Sequence, residues 1–274
     1  MNASRTVIRP SSVLRPLHVG ELWSYRDLLR VLAGRDLKLR YRQTVLGVLW
    51  VIAQPLVGAL VFTLVFGRVA QLPSAGIPYL PFAYAGLLGW NLFASGFTKA
   101  SAAMVLNANL VSKVYFPRIL LPLSTFGSTL VDFLVGLAFF VGLAVFYGLG
   151  LRSGLALLPL WLALLVALSA GLGLVAGAWS VLYRDVQLLV PLLLPFLLYA
   201  SPVAYSVDAV PGRYRWIYTY NPLTAPLEGF RYSLLGVGMP NWSAVVYSAA
   251  CAVAIVVAGA YTFRSMERTF ADVI

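Results

Sequence analysis

The chain has 274 residues, of which 61% are hydrophobic and only 11% are charged, and its formal net charge is +11. Soluble domains carry about 25% charged residues, so this composition excludes a water-soluble globular protein and predicts an all-α, polytopic integral membrane protein. The positive charge does not indicate nucleic-acid binding. The cations lie in short segments between apolar spans, where the positive-inside rule accounts for them.

The N-terminal region predicts a tail followed by an amphipathic helix. Residues 1–25 contain no apolar signal-peptide core and are expected to form a cytoplasmic tail. Residues 26–42 then predict an interface helix with a leucine-rich face. Its opposite face carries Arg30, Arg35, Lys38 and Arg42, while Asp36 and Arg40 intrude on the leucine-rich side. Such a helix serves either as a lipid anchor alone or as a docking surface for a partner.

Hydropathy predicts six transmembrane helices within a single transmembrane domain, residues 26–263, followed by a cytoplasmic tail, 264–274. The spans are placed near 45–67, 79–98, 119–149, 155–182, 186–206 and 242–263. An even number of spans puts both termini on one side, and 15 of the 20 Lys and Arg residues fall on that side. The positive-inside rule therefore predicts a multi-pass membrane protein with both termini in the cytoplasm.

Two spans carry features that suit a cavity. One face of the first span carries small and polar residues, namely Gly47, Val51, Gln54 and Gly58. Because Gln54 is polar, this face should meet protein or water, either as a dimer seam or as a channel wall. The fifth span is interrupted by Pro191, Pro195 and Pro202, as in helices that line a cavity.

Asp132 is the one acid that falls inside a predicted span. An intramembrane carboxylate is a functional candidate by default. It shares a helical face with Ser124, Ser128 and Gly136, so it forms either a packing site or part of a proton relay. In the fourth span Ser169, Gly173 and Gly177 predict close helix packing.

The chain lacks the motifs of an enzyme. It has no Gly-Lys pair and therefore no P-loop, and it has one Cys and one His, too few for a metal site of these ligands. We expect a transport subunit without catalytic residues, metal or cofactor of its own. An ion-coupled secondary carrier is disfavoured, because it would need several intramembrane ionisable groups and repeated halves. A glycosyltransferase is disfavoured as well, because it would need pairs of acidic residues near a membrane surface.

Five segments resemble the permease subunits of bacterial polysaccharide exporters of the ATP-binding cassette (ABC) class, which export O-antigen, teichoic acid or capsule. They are RDLKLRYRQTVLGVLWVIAQPL (35–56), SKVYFPRILLPLS (112–124), YRDVQLLVPLLL (183–194), YASPVAYSVDAVP (199–211) and NPLTAPLEGFRYSLLG (221–236). The resemblance implies a homodimer with two separate ATPase subunits that bind ATP and Mg, and a polyprenyl-diphosphate-linked glycan as substrate. An ABC permease for drugs or small lipids is the alternative, against which the 35–56 match argues.

The resemblance also implies roles for three groups of residues. The ATPase-coupling group is Asn107, Asn109, Lys113, Val114, Tyr115, Phe116, Pro117 and Arg118. The channel-lining group is Gly47, Gln54, Gly58, Tyr84, Trp90, Phe93, Tyr199 and Tyr205, although its aromatic members equally suit a membrane-interface belt. The external gate, in short re-entrant helices of 207–241, is Tyr214, Trp216, Tyr220, Glu228 and Arg231. The anionic lipid head would favour Arg35, Lys38, Arg40 and Arg42 near the entrance.

Overall fold

The computed structural model describes residues 25–41, 47–114, 116–150, 153–267 and 270. Every regular element within these ranges is helical, which confirms the all-α fold. The longer helices are α1 Arg26–Tyr41, α2 Gly47–Phe62, α3 Tyr79–Leu106, α5 Leu120–Phe146, α6 Leu158–Leu182, α7 Val186–Tyr199 and α10 Trp242–Met266. The shorter ones are α4 Ala108–Lys113, α8 Arg215–Tyr220 and α9 Thr224–Leu235.

Among the residues that the structure describes, four helical segments are long and apolar enough to cross a membrane. They are Leu49–Val69, in which a π-helical stretch extends α2, Leu120–Phe146, Gly154–Leu182 and Trp242–Met266. Helix α7 is apolar but has only 14 residues. The protein is therefore a multi-pass membrane protein, while the count of six spans and the re-entrant helices stay predictions.

Two helices end at positions other than the predicted span ends, and both differences affect the candidate site. The second span was expected to end at residue 98, but α3 continues to Leu106, so Lys99 lies inside a helix and not in a loop. The fifth span was expected to reach residue 206, but α7 ends at Tyr199. Only Pro191 and Pro195 therefore lie within α7, and Pro202 follows it.

Helix α3 lies at the centre of the bundle and packs against α2, α5, α6, α7 and α9. Small residues allow the closest of these approaches. A Cβ atom added to Gly173 of α6 would lie 2.5 Å from the Cβ of Ala100 in α3, and one added to Gly177 would lie 3.1 Å from the Ala100 carbonyl oxygen. Ser169 is fully buried. The predicted close packing along this face of the fourth span is therefore confirmed.

Helix α1 packs against α5 of its own chain. Leu32 is 4% exposed, and Leu28 and Leu29 border the same buried cluster. At Gly127 of α5 an added Cβ would lie 2.6 Å from the Cβ of Ala33. Because protein covers this apolar face, lipid anchoring alone does not account for the amphipathic pattern of α1.

The packing at Gly173 predicts a specific loss of stability. Ala is normally favoured over Gly in a helix interior by roughly 0.5–1 kcal/mol, but Gly173→Ala would push its methyl group into Ala100. We expect Gly173→Ala to lower the free energy of unfolding by about 1–3 kcal/mol. The control is Gly142→Ala in α5, where an added Cβ meets no atom within 4 Å. Thermal unfolding in detergent micelles measures the stability of both variants. Equal stabilities of Gly173→Ala and Gly142→Ala would contradict the close contact between Gly173 and Ala100.

Candidate functional site

A groove of about 460 Å³ lies between α2, α3 and α7. Its polar residues are Gln54 of α2 and Asn91, Ser95, Thr98 and Lys99 of α3. Its remaining wall is formed by Trp90, Ala94, Pro191, Leu194, Pro195, Leu198 and Tyr199. None of these lining residues is acidic, so the side chains facing the groove carry a net positive charge.

The polar residues of α3 reach the groove because of their spacing. Ser95 follows Asn91 by four positions, and Thr98 and Lys99 follow Ser95 by three and four, so the four residues share one side of the helix. Polar side chains at membrane depth are tolerated where they line a protein cavity and are not exposed to lipid. The facing helix α7 supplies two prolines, which leave backbone carbonyls without their usual helical partners.

Lys99 pairs with Asp132 across the contact between α3 and α5. The Lys99 Nζ lies 2.9 Å from Asp132 Oδ2 and donates to Ser128 Oγ at 3.1 Å. The side chains of Lys99 and Asp132 are 24% and 13% exposed. Asp132 is therefore not the lone charge that the sequence analysis described. The sequence did contain a signal for this ion pair. Lys99 directly follows the predicted end of the second span, and Asp132 lies inside the third.

Three of the predicted channel-lining residues, Gln54, Trp90 and Tyr199, meet in the groove. Tyr84 and Phe93 are fully buried in the core, so they form no exposed wall in this conformation. The other three lie elsewhere. Gly58 faces Leu87 of α3, the Tyr205 hydroxyl donates to the Tyr199 carbonyl at 2.6 Å, and Gly47 begins α2 outside the groove lining.

The predicted coupling segment, residues 107–118, forms α4 and the turn that follows it. Asn109, Lys113 and Val114 are exposed, with Val114 at 51%. Phe116, a member of the predicted ATPase-coupling group that would need exposure to dock a partner, is instead buried at 6% in the cluster that includes Leu32. Pro117 is half-buried beside it. Tyr115 lies outside the described residues.

Both ends of this segment are held by side-chain hydrogen bonds. Arg35 of α1 donates to Asn107 Oδ1 at 2.6 Å and also pairs with Asp36 at 3.0 Å. Arg118 donates to the Glu267 carbonyl at 2.6 Å, beyond the end of α10. The coupling segment is thus fastened to the first and last described helices.

The other predicted interface-helix cations are placed differently. Arg30 pairs with Asp27 at 3.0 Å on the exposed surface, where such a pair contributes little to stability. Lys38 is exposed. The Arg40 side chain and Arg42 lie outside the described part of the chain.

Arg231, predicted to be an external-gate residue, is instead a buried clamp. It is 2% exposed and donates to the carbonyl oxygens of Pro202, Val203 and Tyr205, and its guanidinium lies 4.2 Å from the centroid of the Phe82 ring. These bonds satisfy backbone acceptors that the end of α7 leaves without helical donors. Arg231 therefore holds the chain that follows α7 against α3 and α9.

The remaining external residues divide between surface and interior. Tyr214, Trp216 and Tyr220 are 45%, 61% and 68% exposed. Glu228 accepts a hydrogen bond from the Val207 backbone N–H at 3.1 Å. Burial raises the pKa of Glu228, while this hydrogen bond and the charge of Arg231 oppose the rise.

Comparison with known protein families shows the family to which this chain belongs. The family described as ABC-2 type transporter matches residues 27–235. The chain belongs to this family. That range includes the coupling segment, the groove, the Lys99–Asp132 pair and the Arg231 clamp.

Several known proteins are similar to this chain over most of its length. It is 30% identical over 251 residues to an O-antigen export system permease protein RfbA of Klebsiella pneumoniae, covering 90% of this chain and 95% of the relative. It is 28% identical to the RfbA protein of Myxococcus xanthus, covering 93% and 98%. It is 25% identical to the polysialic acid transport protein KpsM of Escherichia coli, covering 73% and 78%.

The Arg231 clamp predicts a large loss of stability when its donors are removed. In Arg231→Met three carbonyl groups, two of them in buried hydrogen bonds, lose a donor, and we expect the free energy of unfolding to fall by at least about 2 kcal/mol. The control is Arg213→Met, because Arg213 is exposed and stacks only on Tyr214 among the contacts described for it. Thermal unfolding of both variants in detergent tests this, and a stable Arg231→Met protein would show that the clamp is dispensable.

Proposed function

We propose that this chain is the channel-forming subunit of an exporter that moves polyprenyl-diphosphate-linked polysaccharide across the bacterial cytoplasmic membrane. The observation that carries the proposal is the similarity, over about nine-tenths of the chain, to permeases named for O-antigen export. The glycan would be an O-antigen, a capsular polysaccharide or a teichoic acid. The groove supports this class of substrate because it combines amide and hydroxyl groups with the aromatic rings of Trp90 and Tyr199.

The energy would come from a separate ATP-binding cassette subunit that also binds Mg. The chain contains no Gly-Lys pair, so it cannot form a P-loop of its own. Its exposed residues Asn109, Lys113 and Val114 form a surface with an apolar centre and a cation, which suits protein docking. We assign this surface to the ATPase contact.

Movement of the docked ATPase would reach the membrane helices through the fastened ends of the coupling segment. Asn107 connects to α1 through Arg35, and Arg118 connects to the end of α10 through Glu267. Helix α1 in turn packs against α5, which carries Asp132. A push on the coupling segment would thus be transmitted as a rigid-body movement, because packed helices shift as units.

Two copies of the chain would together form the channel. Helices α2 and α7 flank the groove and expose large apolar side chains, including Trp50 at 61%, Leu188 at 74% and Phe196 at 67%. A second copy placed against these helices would enclose the groove on its open side. Both termini would lie in the cytoplasm. The cation asymmetry persists when Lys99 and Arg231, now known to be inside the bundle, are left out.

The docking surface gives a direct test of the proposed partnership. Val114→Asp places a carboxylate at the centre of the apolar contact, and we expect the ATPase subunit to be lost when the tagged permease is purified from native membranes in mild detergent. The matched control is Met239→Asp, since Met239 is 46% exposed in the segment between α9 and α10. Phe116 is unsuitable for this test because its burial would make Phe116→Asp unfold the protein.

We expect the parent and Met239→Asp to recover permease and ATPase in equal amounts. Val114→Asp should recover the permease without the ATPase. Two outcomes would contradict the proposal. One is a dimeric parent protein that carries no nucleotide-binding partner. The other is unchanged recovery of the ATPase with Val114→Asp, which would place the docking contact elsewhere.

A further inference from the structure

We propose that the groove between α2, α3 and α7 binds the phosphate group of the exported lipid-linked glycan, and that Lys99 is the side chain that contacts it. This inference rests on the proposed export function. It differs from the expectation that the anionic head is recognised by cations of the interface helix before the first span. It adds an anion site inside the bundle, at residues that lie on a different helix.

The first argument is the arrangement of charge around the groove. Lys99 is among the groove-lining residues, whereas its partner Asp132 is not, and Asp132 is the less exposed of the two. The pair therefore places Lys99 in the groove lining and Asp132 at the contact between α3 and α5. With no acid in the groove lining, the potential at this wall favours an anion.

The second argument is the energetic cost of a charge at this depth. An unpaired cation inside a bilayer costs several kcal/mol, so Lys99 needs a counter-ion whenever the groove is empty. Asp132 supplies that counter-ion and holds the ammonium group in place. A phosphate group arriving in the groove would share or replace this partner, and its bond to Lys99 would be strengthened by the low surrounding dielectric.

The third argument is the set of groups around Lys99. Gln54 and Asn91 offer amide donors and acceptors, and Ser95 and Thr98 offer hydroxyls, all lining the same groove. These groups match the hydroxyls of a sugar next to the phosphate. The volume of about 460 Å³ lies in the range of small-ligand pockets, roughly 300–1,000 Å³. It would hold a diphosphate and the adjoining sugar, and not a folded polysaccharide.

The position of Lys99 would also connect substrate arrival with the ATPase contact. Lys99 lies within the last two turns of α3, and α3 leads directly to Asn107, the residue that bonds Arg35. A phosphate that draws Lys99 away from Asp132 would loosen α3 from α5 close to the coupling segment. The site would then both bind the substrate and signal its presence.

The test is a binding measurement on the full chain in complex with its ATPase, in lipid nanodiscs. The probe is undecaprenyl diphosphate, and phosphatidylglycerol serves as a second anionic lipid with an ordinary phosphodiester head. The decisive variant is the double substitution Lys99→Gln with Asp132→Asn, which removes both charges and leaves no buried carboxylate unpaired. Lys99→Arg keeps the positive charge, Asp132→Asn removes only its partner, and Arg213→Gln removes an exposed cation away from the groove.

We expect the double variant to bind undecaprenyl diphosphate at least about tenfold more weakly than the parent, as loss of one charge-assisted bond implies. Lys99→Arg and Arg213→Gln should keep most of the affinity, and Asp132→Asn should bind at least as tightly as the parent. Thermal unfolding and retention of the ATPase confirm that each variant is folded.

Three outcomes would overturn the inference. Equal affinity of the parent and the folded double variant would reduce Lys99–Asp132 to a structural pair, and the export function would stand. An equal loss for phosphatidylglycerol would show a general lipid-head site and not a substrate site. No binding of the diphosphate lipid by the parent, while the ATPase remains bound, would reject the site. Loss of the ATPase from the parent would instead contradict the proposed function itself.

Discussion

Polar groups inside a bilayer must find partners within the protein, and the central position of α3 meets this requirement. The helix is surrounded by α2, α5, α6, α7 and α9, and its polar face lines the groove between α2 and α7. It can therefore carry a lysine, two hydroxyls and an amide at a depth where a lipid-facing helix could not. The groove and the Lys99–Asp132 pair both depend on this enclosure, which the small residues Gly173 and Gly177 make possible.

The same requirement explains the region after α7. That helix ends at Tyr199, and the chain that follows it has carbonyl groups without helical donors. Arg231 supplies donors to three of them, the Asn221 amide donates to the Ala200 carbonyl at 2.9 Å, and the Tyr79 hydroxyl donates to the Ala204 carbonyl at 2.6 Å. A cation predicted to face the outside is thus needed inside to keep the wall of the groove in place.

The two ends of the molecule are built on different principles. Around residues 107–118 two bonds between distant parts of the chain, Arg35 to Asn107 and Arg118 to Glu267, fasten a segment that is exposed only in part. Around α9 the contacts are dense and buried, with Trp161 fully enclosed and donating to Ser233 Oγ at 2.9 Å. Residues 107–118 can therefore move with α1, while the densely packed region around α9 resists displacement.

The sequence by itself determined the membrane class, the all-helical architecture, the lack of a P-loop and the close packing of Gly173 and Gly177. These follow from properties of the residues along one helix or along the whole chain. Only the tertiary structure decided that Lys99 meets Asp132, that Phe116 is buried and that Arg231 points inward. Hydropathy averages each segment separately, so it ended the second span at residue 98 and assigned the next cation to a loop. Contacts between residues 33 or more positions apart depend on how helices rotate and cross, which a one-dimensional pattern does not encode.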